Sequence, residues 1–76
     1  MRVTLIYKSD EVHVHRADCR DIPKARRNAA NVEDMTVETR QEVANDWYQD
    51  FINEGSMTEA EALNYCVFLP CTRGLS

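Results

Sequence analysis

The sequence predicts an α+β domain in which a small antiparallel sheet carries helices on one face. Three observations support this prediction. Two short N-terminal runs have the composition and alternation of strands, the middle of the chain repeats apolar residues at helical spacing, and a short apolar run precedes a proline near the C-terminus. The predicted element order is β-β-α-α-α-β, and the 76 residues form a single small domain, residues 1–76.

The first predicted element is an N-terminal β-hairpin. Val3 to Tyr7 is rich in β-branched and aromatic residues, and Val12 to Arg16 alternates valine with histidine. Lys8 to Glu11 lies between them and has the polar composition of a turn. Because side chains alternate along a strand, His13 and His15 are expected on one face and the valines on the other.

The middle of the chain is predicted to be helical. A short helix from Ile22 to about Ala30 has proline in its first turn, and Asn31 to Met35 is predicted to be a linker. A longer helix from Thr36 to about Asn53 carries an apolar stripe that should supply the main core face. A third helix begins with the capping-box pattern Thr58–Glu61. The stripe consists of Val43, Ala44, Trp47, Tyr48, Phe51 and Ile52.

The last predicted element is a strand from Tyr65 to Leu69, an apolar run that stops at Pro70. In the simplest arrangement of the chain, this C-terminal strand pairs with the hairpin strand that carries the histidines. Such a pairing would bring the C-terminal cysteines close to those histidines.

All cysteines and histidines of the chain lie in two short segments near its ends. His13, His15 and Cys19 are in the first segment, and Cys66 and Cys71 are in the second. Zinc prefers four thiolate and imidazole ligands, and a structural zinc site joins distant segments of a small domain. We therefore predict a zinc site formed by His15, Cys19, Cys71 and Cys66, with His13 or a water as alternatives for the fourth ligand. The competing interpretation is that Cys19 and Cys71 are small buried hydrophobic residues and that the histidines are surface residues of a strand.

Composition narrows the class of protein. The chain is 43% hydrophobic and 29% charged, as in ordinary soluble globular proteins. It has no apolar run near the roughly 20 residues that span a bilayer and no signal-peptide pattern, so we expect a cytoplasmic location and no membrane partner. Thiols stay reduced in that compartment, and three cysteines cannot all pair in intramolecular disulfides.

Charge is distributed unevenly along the chain and suggests an alternative function. Residues 1–27 carry seven basic and four acidic side chains, whereas residues 28–76 carry two basic and nine acidic ones. Nucleic-acid binding through the basic cluster is the alternative that this distribution raises. The net charge of −4 and the lack of an aromatic stacking platform beside the cluster argue against it. The basic cluster consists of Arg16, Arg20, Lys24, Arg26 and Arg27.

A second alternative is a thiol enzyme. Cys19 lies near His15 and at the start of a predicted helix, and both features favour a reactive thiolate. No third residue to orient the histidine is evident, and a chain of this size has little room for a substrate pocket. We therefore predict that the protein is not an enzyme.

The segments His15–Ile22 and Phe68–Cys71, with an acidic helix between them, resemble a group of small uncharacterised proteins encoded by bacteriophages of actinobacteria. The recognisable parts are the His-x3-Cys pattern and the terminal Pro-Cys pair, and Cys66 and His13 fall outside them. The resemblance implies a phage accessory protein made in the host cytoplasm. We expect such a protein to act by binding a host protein, as a monomer or a homodimer.

Overall fold

A computed structural model describes residues 1–8, 10–27 and 29–76. Within these residues the chain forms four strands, four α-helices and a short 3₁₀ turn, and the predicted α+β class is confirmed. Ser9, in the predicted turn, and Asn28, in the predicted first helix, lie outside the described residues. The elements are β1 (Arg2–Lys8), β2 (Glu11–Arg16), α1 (Ile22–Ala25), β3 (Asn31–Thr36), α2 (Arg40–Trp47), α3 (Gln49–Asn53), α4 (Glu59–Asn64), β4 (Cys66–Phe68) and the 3₁₀ turn (Pro70–Thr72).

The described strands form one sheet in the order β3-β1-β2-β4. The hairpin of β1 and β2 is confirmed, with Leu5 opposite Val14. The C-terminal strand does pair with the histidine-bearing strand, but it runs parallel to β2, so the prediction of an antiparallel sheet is wrong. The direction is set by the connection: α4 returns the chain to the start of β2, where the Val12 N–H donates to the Tyr65 carbonyl at 3.4 Å. A parallel pair needs such a long crossover between its strands.

The segment predicted to be a linker is the edge strand β3, and that prediction is wrong. It pairs antiparallel with β1, and the Thr4 hydroxyl donates to the Asp34 carboxylate at 2.6 Å. Asn31, Glu33 and Asp34 have low strand propensity, so the sequence lacks the usual strand pattern. Charged residues on an edge strand are a common defence against edge-to-edge association. The observed order is therefore β-β-α-β-α-α-α-β.

The long predicted helix is shorter and divided in two. α2 begins at Arg40 rather than Thr36, because Thr36 still pairs in β3 and Thr39 provides the N-cap by accepting from the Glu42 N–H. α2 ends at Trp47, and α3 begins after Tyr48. The capping box predicted at the start of α4 is confirmed.

The main core lies between one face of the sheet and α2, α3 and α4. Trp47 is only partly buried and packs on Tyr7, with ring centroids 5.8 Å apart, and Phe51 is 51% exposed. The prediction that Phe51 is a core residue is therefore wrong. The buried cluster consists of Val3, Leu5, Val12, Val14, Val37, Val43, Ala44, Tyr48, Ala62, Cys66 and Leu75.

The opposite face of the sheet is covered by the segment that follows β2. Ile22 of α1 and Ile6 of β1 are both buried, and neither belongs to the main core. Ala25 of α1 lines a groove together with Ile6 and His13. α1 therefore lies on the face that the other helices leave uncovered, contrary to the prediction of helices on one face only. His15 is also buried and lies on this second face of the sheet.

Candidate metal centre

Three soft ligands meet where β2 ends. One ligand atom from each of His15, Cys19 and Cys71 lies within 4.8 Å of the other two, which confirms the predicted juxtaposition. Zinc bonds of about 2.3 Å to sulfur and 2.0 Å to nitrogen would place tetrahedral ligand atoms roughly 3.5–4 Å apart. Small side-chain adjustments would therefore bring all three atoms to a single ion.

The end of β2 positions the first two ligands. His15 is 6% exposed, and its side chain points to the face opposite Val14 because side chains alternate along the strand. The strand ends at Arg16, and the chain then turns: the Cys19 N–H donates to the Arg16 carbonyl at 2.9 Å. The turn folds Cys19 back beside His15, so the His-x3-Cys spacing brings both ligands to one point.

The C-terminal segment supplies the third ligand. The Leu69 N–H donates to the Val14 carbonyl at 3.1 Å, which holds the chain beside β2 just beyond β4. The 3₁₀ turn follows, and buried Thr72 closes it through hydrogen bonds from its N–H and its hydroxyl to the Leu69 carbonyl. This turn directs Cys71 at the end of β2, where its Sγ accepts the Arg16 N–H at 3.3 Å. No pattern in the sequence pointed to the positioning role of Thr72.

Burial changes the protonation of the imidazole and of one thiol in this group. Burial lowers the pKa of His15, His13 lowers it further, and Asp21 opposes the change. The imidazole is therefore favoured in its neutral form, which is the form that binds metals. Burial is also the main cause that raises the pKa of Cys71, while the Arg16 N–H opposes it. A bound cation would supply the positive charge that thiolate formation at Cys71 needs.

The other two candidate ligands lie elsewhere. Cys66 pairs with Val12 in the parallel register, so its side chain lies in the main core, on the face opposite His15. Its thiol donates to the Ala62 carbonyl at 3.5 Å, and burial raises its pKa to about 11. His13 shares a face with His15, but its Nε2 lies 3.0 Å from a Glu11 carboxylate oxygen.

Among the residues that the structure describes, no histidine, cysteine, aspartate or glutamate joins this group as a fourth ligand. Of the alternatives predicted for the fourth ligand, water is the one consistent with this arrangement. Three protein ligands with water in the fourth position are the pattern of catalytic zinc sites, whereas structural zinc sites usually have four protein ligands.

Comparison with known proteins adds no relative, since no family model, curated protein or solved structure matches this chain. The resemblance to phage proteins therefore stays a prediction. None of the helices in the described ranges has the length and apolar character needed to cross a membrane. The fold and the site together define an α+β domain with a His/Cys/Cys group that could hold a metal ion.

Proposed function

We propose that this protein is a small zinc-binding domain that acts by binding another protein. The observation that supports zinc is the convergence of one imidazole and two thiols within 4.8 Å. Mixed sulfur and nitrogen ligands in a tetrahedral arrangement favour zinc over hard cations such as Mg²⁺ or Ca²⁺. Water would take the fourth position.

The role proposed for the metal is structural. His15 and Cys71 are 56 positions apart, so an ion bound to both would fix the C-terminal segment to the sheet. A domain of 76 residues has a small core and gains stability from such a link, because metal binding free energy adds directly to folding free energy. Coordination would also engage Cys19, the residue that a thiol enzyme would need as its nucleophile. This argues against a thiol enzyme built on Cys19.

A pair of exposed aromatic rings supports the proposed interaction with a protein. Phe51 and Tyr65 are 51% and 49% exposed, and both rings pack against Tyr48, with centroid distances of 6.4 and 5.8 Å. Adjacent large side chains that remain exposed are typical of interaction surfaces, where aromatic residues often dominate the binding energy. We call Tyr48, Phe51 and Tyr65 the aromatic patch.

Acidic side chains on the same helical segment as Tyr48 and Phe51 favour a basic partner. Glu38, Glu42, Asp46 and Asp50 are all exposed on or beside α2 and α3, and Asp50 directly precedes Phe51. Such a surface steers positively charged partners and raises their association rate. The resemblance to phage proteins makes a host protein the expected partner, and the site of action would then be the host cytoplasm.

Metal analysis with matched cysteine variants tests the zinc proposal. Protein purified from zinc-supplemented cells should contain about one zinc per chain, measured by elemental mass spectrometry after gel filtration. Cys71→Ala should lose the metal. Cys66→Ala is the matched control and should retain it, because Cys66 lies on the other face of the sheet. Equal zinc content in the two variants would contradict the proposed ligand set.

Affinity capture from host lysate tests the interaction. The wild type should recover a specific protein, and Phe51→Ser with Tyr65→Ser should abolish that recovery. Val67→Ser is the control, since Val67 is also exposed but lies on the opposite face of the sheet. A further variant, in which the four acidic residues are neutralised, tests whether they attract a basic partner. Equal recovery by every variant would remove the aromatic patch and the acidic face from the proposal.

A further inference from the structure

Three arginines line a groove beside the metal centre. Arg2 comes from the start of β1, Arg16 from the end of β2 and Arg73 from the segment after the 3₁₀ turn. The groove has a volume of about 540 Å³, and its other lining residues are Met1, Ala17 and Asp18. We call it the arginine groove.

The fold creates this groove from three separate segments. β1 and β2 are antiparallel, so the start of β1 lies beside the end of β2, and the Ala17 N–H donates to the Arg2 carbonyl at 3.0 Å. The Arg16 N–H is bound to the Cys71 Sγ, and the Arg73 N–H donates to the Pro70 carbonyl at 3.1 Å. The backbone at each arginine is therefore held by the sheet or by the turn that carries Cys71.

The groove is basic although the chain as a whole has a net charge of −4. Arg16 pairs with Asp18 at 3.2 Å, and both side chains are largely exposed. Arg2 and Arg73 form no ion pair with any residue in the described ranges. The groove therefore has a net positive charge, which an anion would neutralise.

The lining indicates the chemistry of the ligand. Guanidinium groups present a planar set of donors that matches phosphate oxygens better than a lysine ammonium does. None of the described residues that line the groove is aromatic, so they offer no platform on which a nucleobase would stack. The volume lies within the range typical of small-molecule sites.

We propose that the arginine groove is an anion site that binds a phosphate-bearing small molecule through its phosphate group, with Arg2 and Arg73 as the principal donors. This proposal does not depend on the identity of the metal, since the three arginines are not ligands. A nucleic-acid backbone also presents phosphate groups, and the experiment below distinguishes it from a small phosphate-bearing molecule.

The test is a calorimetric titration of the full chain with glycerol 3-phosphate at low ionic strength. The wild type should bind, and Arg2→Gln and Arg73→Gln should each weaken binding about tenfold or more, as expected when charge-assisted hydrogen bonds are lost. Arg27→Gln is the matched control, because Arg27 is exposed but lies outside the groove, and it should change affinity by less than about twofold. Arg73→Lys keeps the charge without the planar donors and should fall between wild type and Arg73→Gln.

Four results would overturn the proposal. The first is no binding by the wild type, and the second is equal weakening by all three glutamine variants. The third is binding that neither Arg2→Gln nor Arg73→Gln weakens. The fourth is tighter binding of a single-stranded oligonucleotide than of glycerol 3-phosphate, weakened by Arg27→Gln as much as by the groove variants. The variants are surface changes, and circular dichroism of each checks that the fold is retained.

Discussion

The Nδ1 atom of His15 lies 3.8 Å from the Sγ atom of Cys71, although the two residues are 56 positions apart in the chain. The contact joins the end of β2 to the turn after β4, next to the point where the parallel pairing of these strands ends. It connects the second covered face of the sheet to the C-terminal segment. The proposed structural role of zinc depends on this contact.

Removal of the metal should lower thermal stability. At a free zinc concentration 100 times the dissociation constant, binding adds about 2.7 kcal/mol, which corresponds to a shift of roughly 10–20 °C in the melting temperature of a domain this small. Thermal unfolding followed by circular dichroism, with zinc and with a chelator, measures the shift. Cys66→Ala should keep the response to zinc and Cys71→Ala should lose it. A melting temperature unaffected by chelation would contradict a structural metal.

Zinc should protect two of the three cysteines from alkylation. Cys19 and Cys71 should react with iodoacetamide in chelator-treated protein and become protected when zinc is added. Cys66 should react slowly in both states, because it is buried and its pKa is raised to about 11. Peptide mass spectrometry gives the extent of labelling at each site. Rapid, stoichiometric labelling of Cys19 in zinc-loaded protein would instead favour the thiol-enzyme alternative.

Alkaline pH should destabilise the protein through two buried groups. Burial raises the pKa of Cys66 from 9.0 to about 11 and that of Tyr48 from 10.0 to about 12. The folded state therefore holds these protons more tightly than the unfolded state does. The stabilisation from Cys66 is complete below pH 9 and is lost between pH 9 and 11, an effect on the order of 2 kcal/mol.

Urea unfolding from pH 8 to 11 measures this loss. Cys66→Ala removes one ionising group, so its stability should fall less steeply over that interval, even if the variant is less stable at pH 8. A slope identical to that of the wild type would show that Cys66 does not contribute.

The loss of stability caused by a core substitution should depend on the observed burial of the residue, not on its membership of the predicted apolar stripe. Leu5→Ala should cost about 2–5 kcal/mol, because Leu5 is fully buried between the sheet and the helices. A fully buried tryptophan would cost about 3–5 kcal/mol when replaced by alanine, but Trp47 is partly exposed, so we expect about 2 kcal/mol for Trp47→Ala. Phe51→Ala should cost less than about 1 kcal/mol. Denaturant midpoints test this order, and a Phe51 variant as damaging as Leu5→Ala would contradict it.

Nucleic acid should not bind with appreciable affinity. The acidic side chains that cover α2, α3 and α4 repel phosphate from much of the surface, even though Arg16, Arg20 and Arg27 are exposed on the other side. Gel-shift titration at low salt with duplex and single-stranded DNA is the measurement. Micromolar binding that weakens steeply with added salt would instead support the nucleic-acid alternative.

Local sequence patterns predicted several elements of the fold correctly. The hairpin followed from the alternation in Val12 to Arg16, and the start of α4 followed from the Thr58–Glu61 capping box. These features depend on neighbouring residues, so the sequence contains most of the information that sets them. The edge strand β3 was missed because its stability comes from pairing with β1, not from the propensity of its polar residues.

The candidate ligands could be read from the sequence, since every histidine and cysteine lies in two short segments. Which of these residues meet depends on how the strands pair in the folded protein. The parallel register places Cys66 beside Val12 and therefore in the core, whereas the turn after Pro70 brings Cys71 to the opposite face beside His15. A shift of one residue in that pairing would move Cys66 to the other face. Strand register depends on contacts between distant segments, and the spacing of cysteines in a sequence does not encode it.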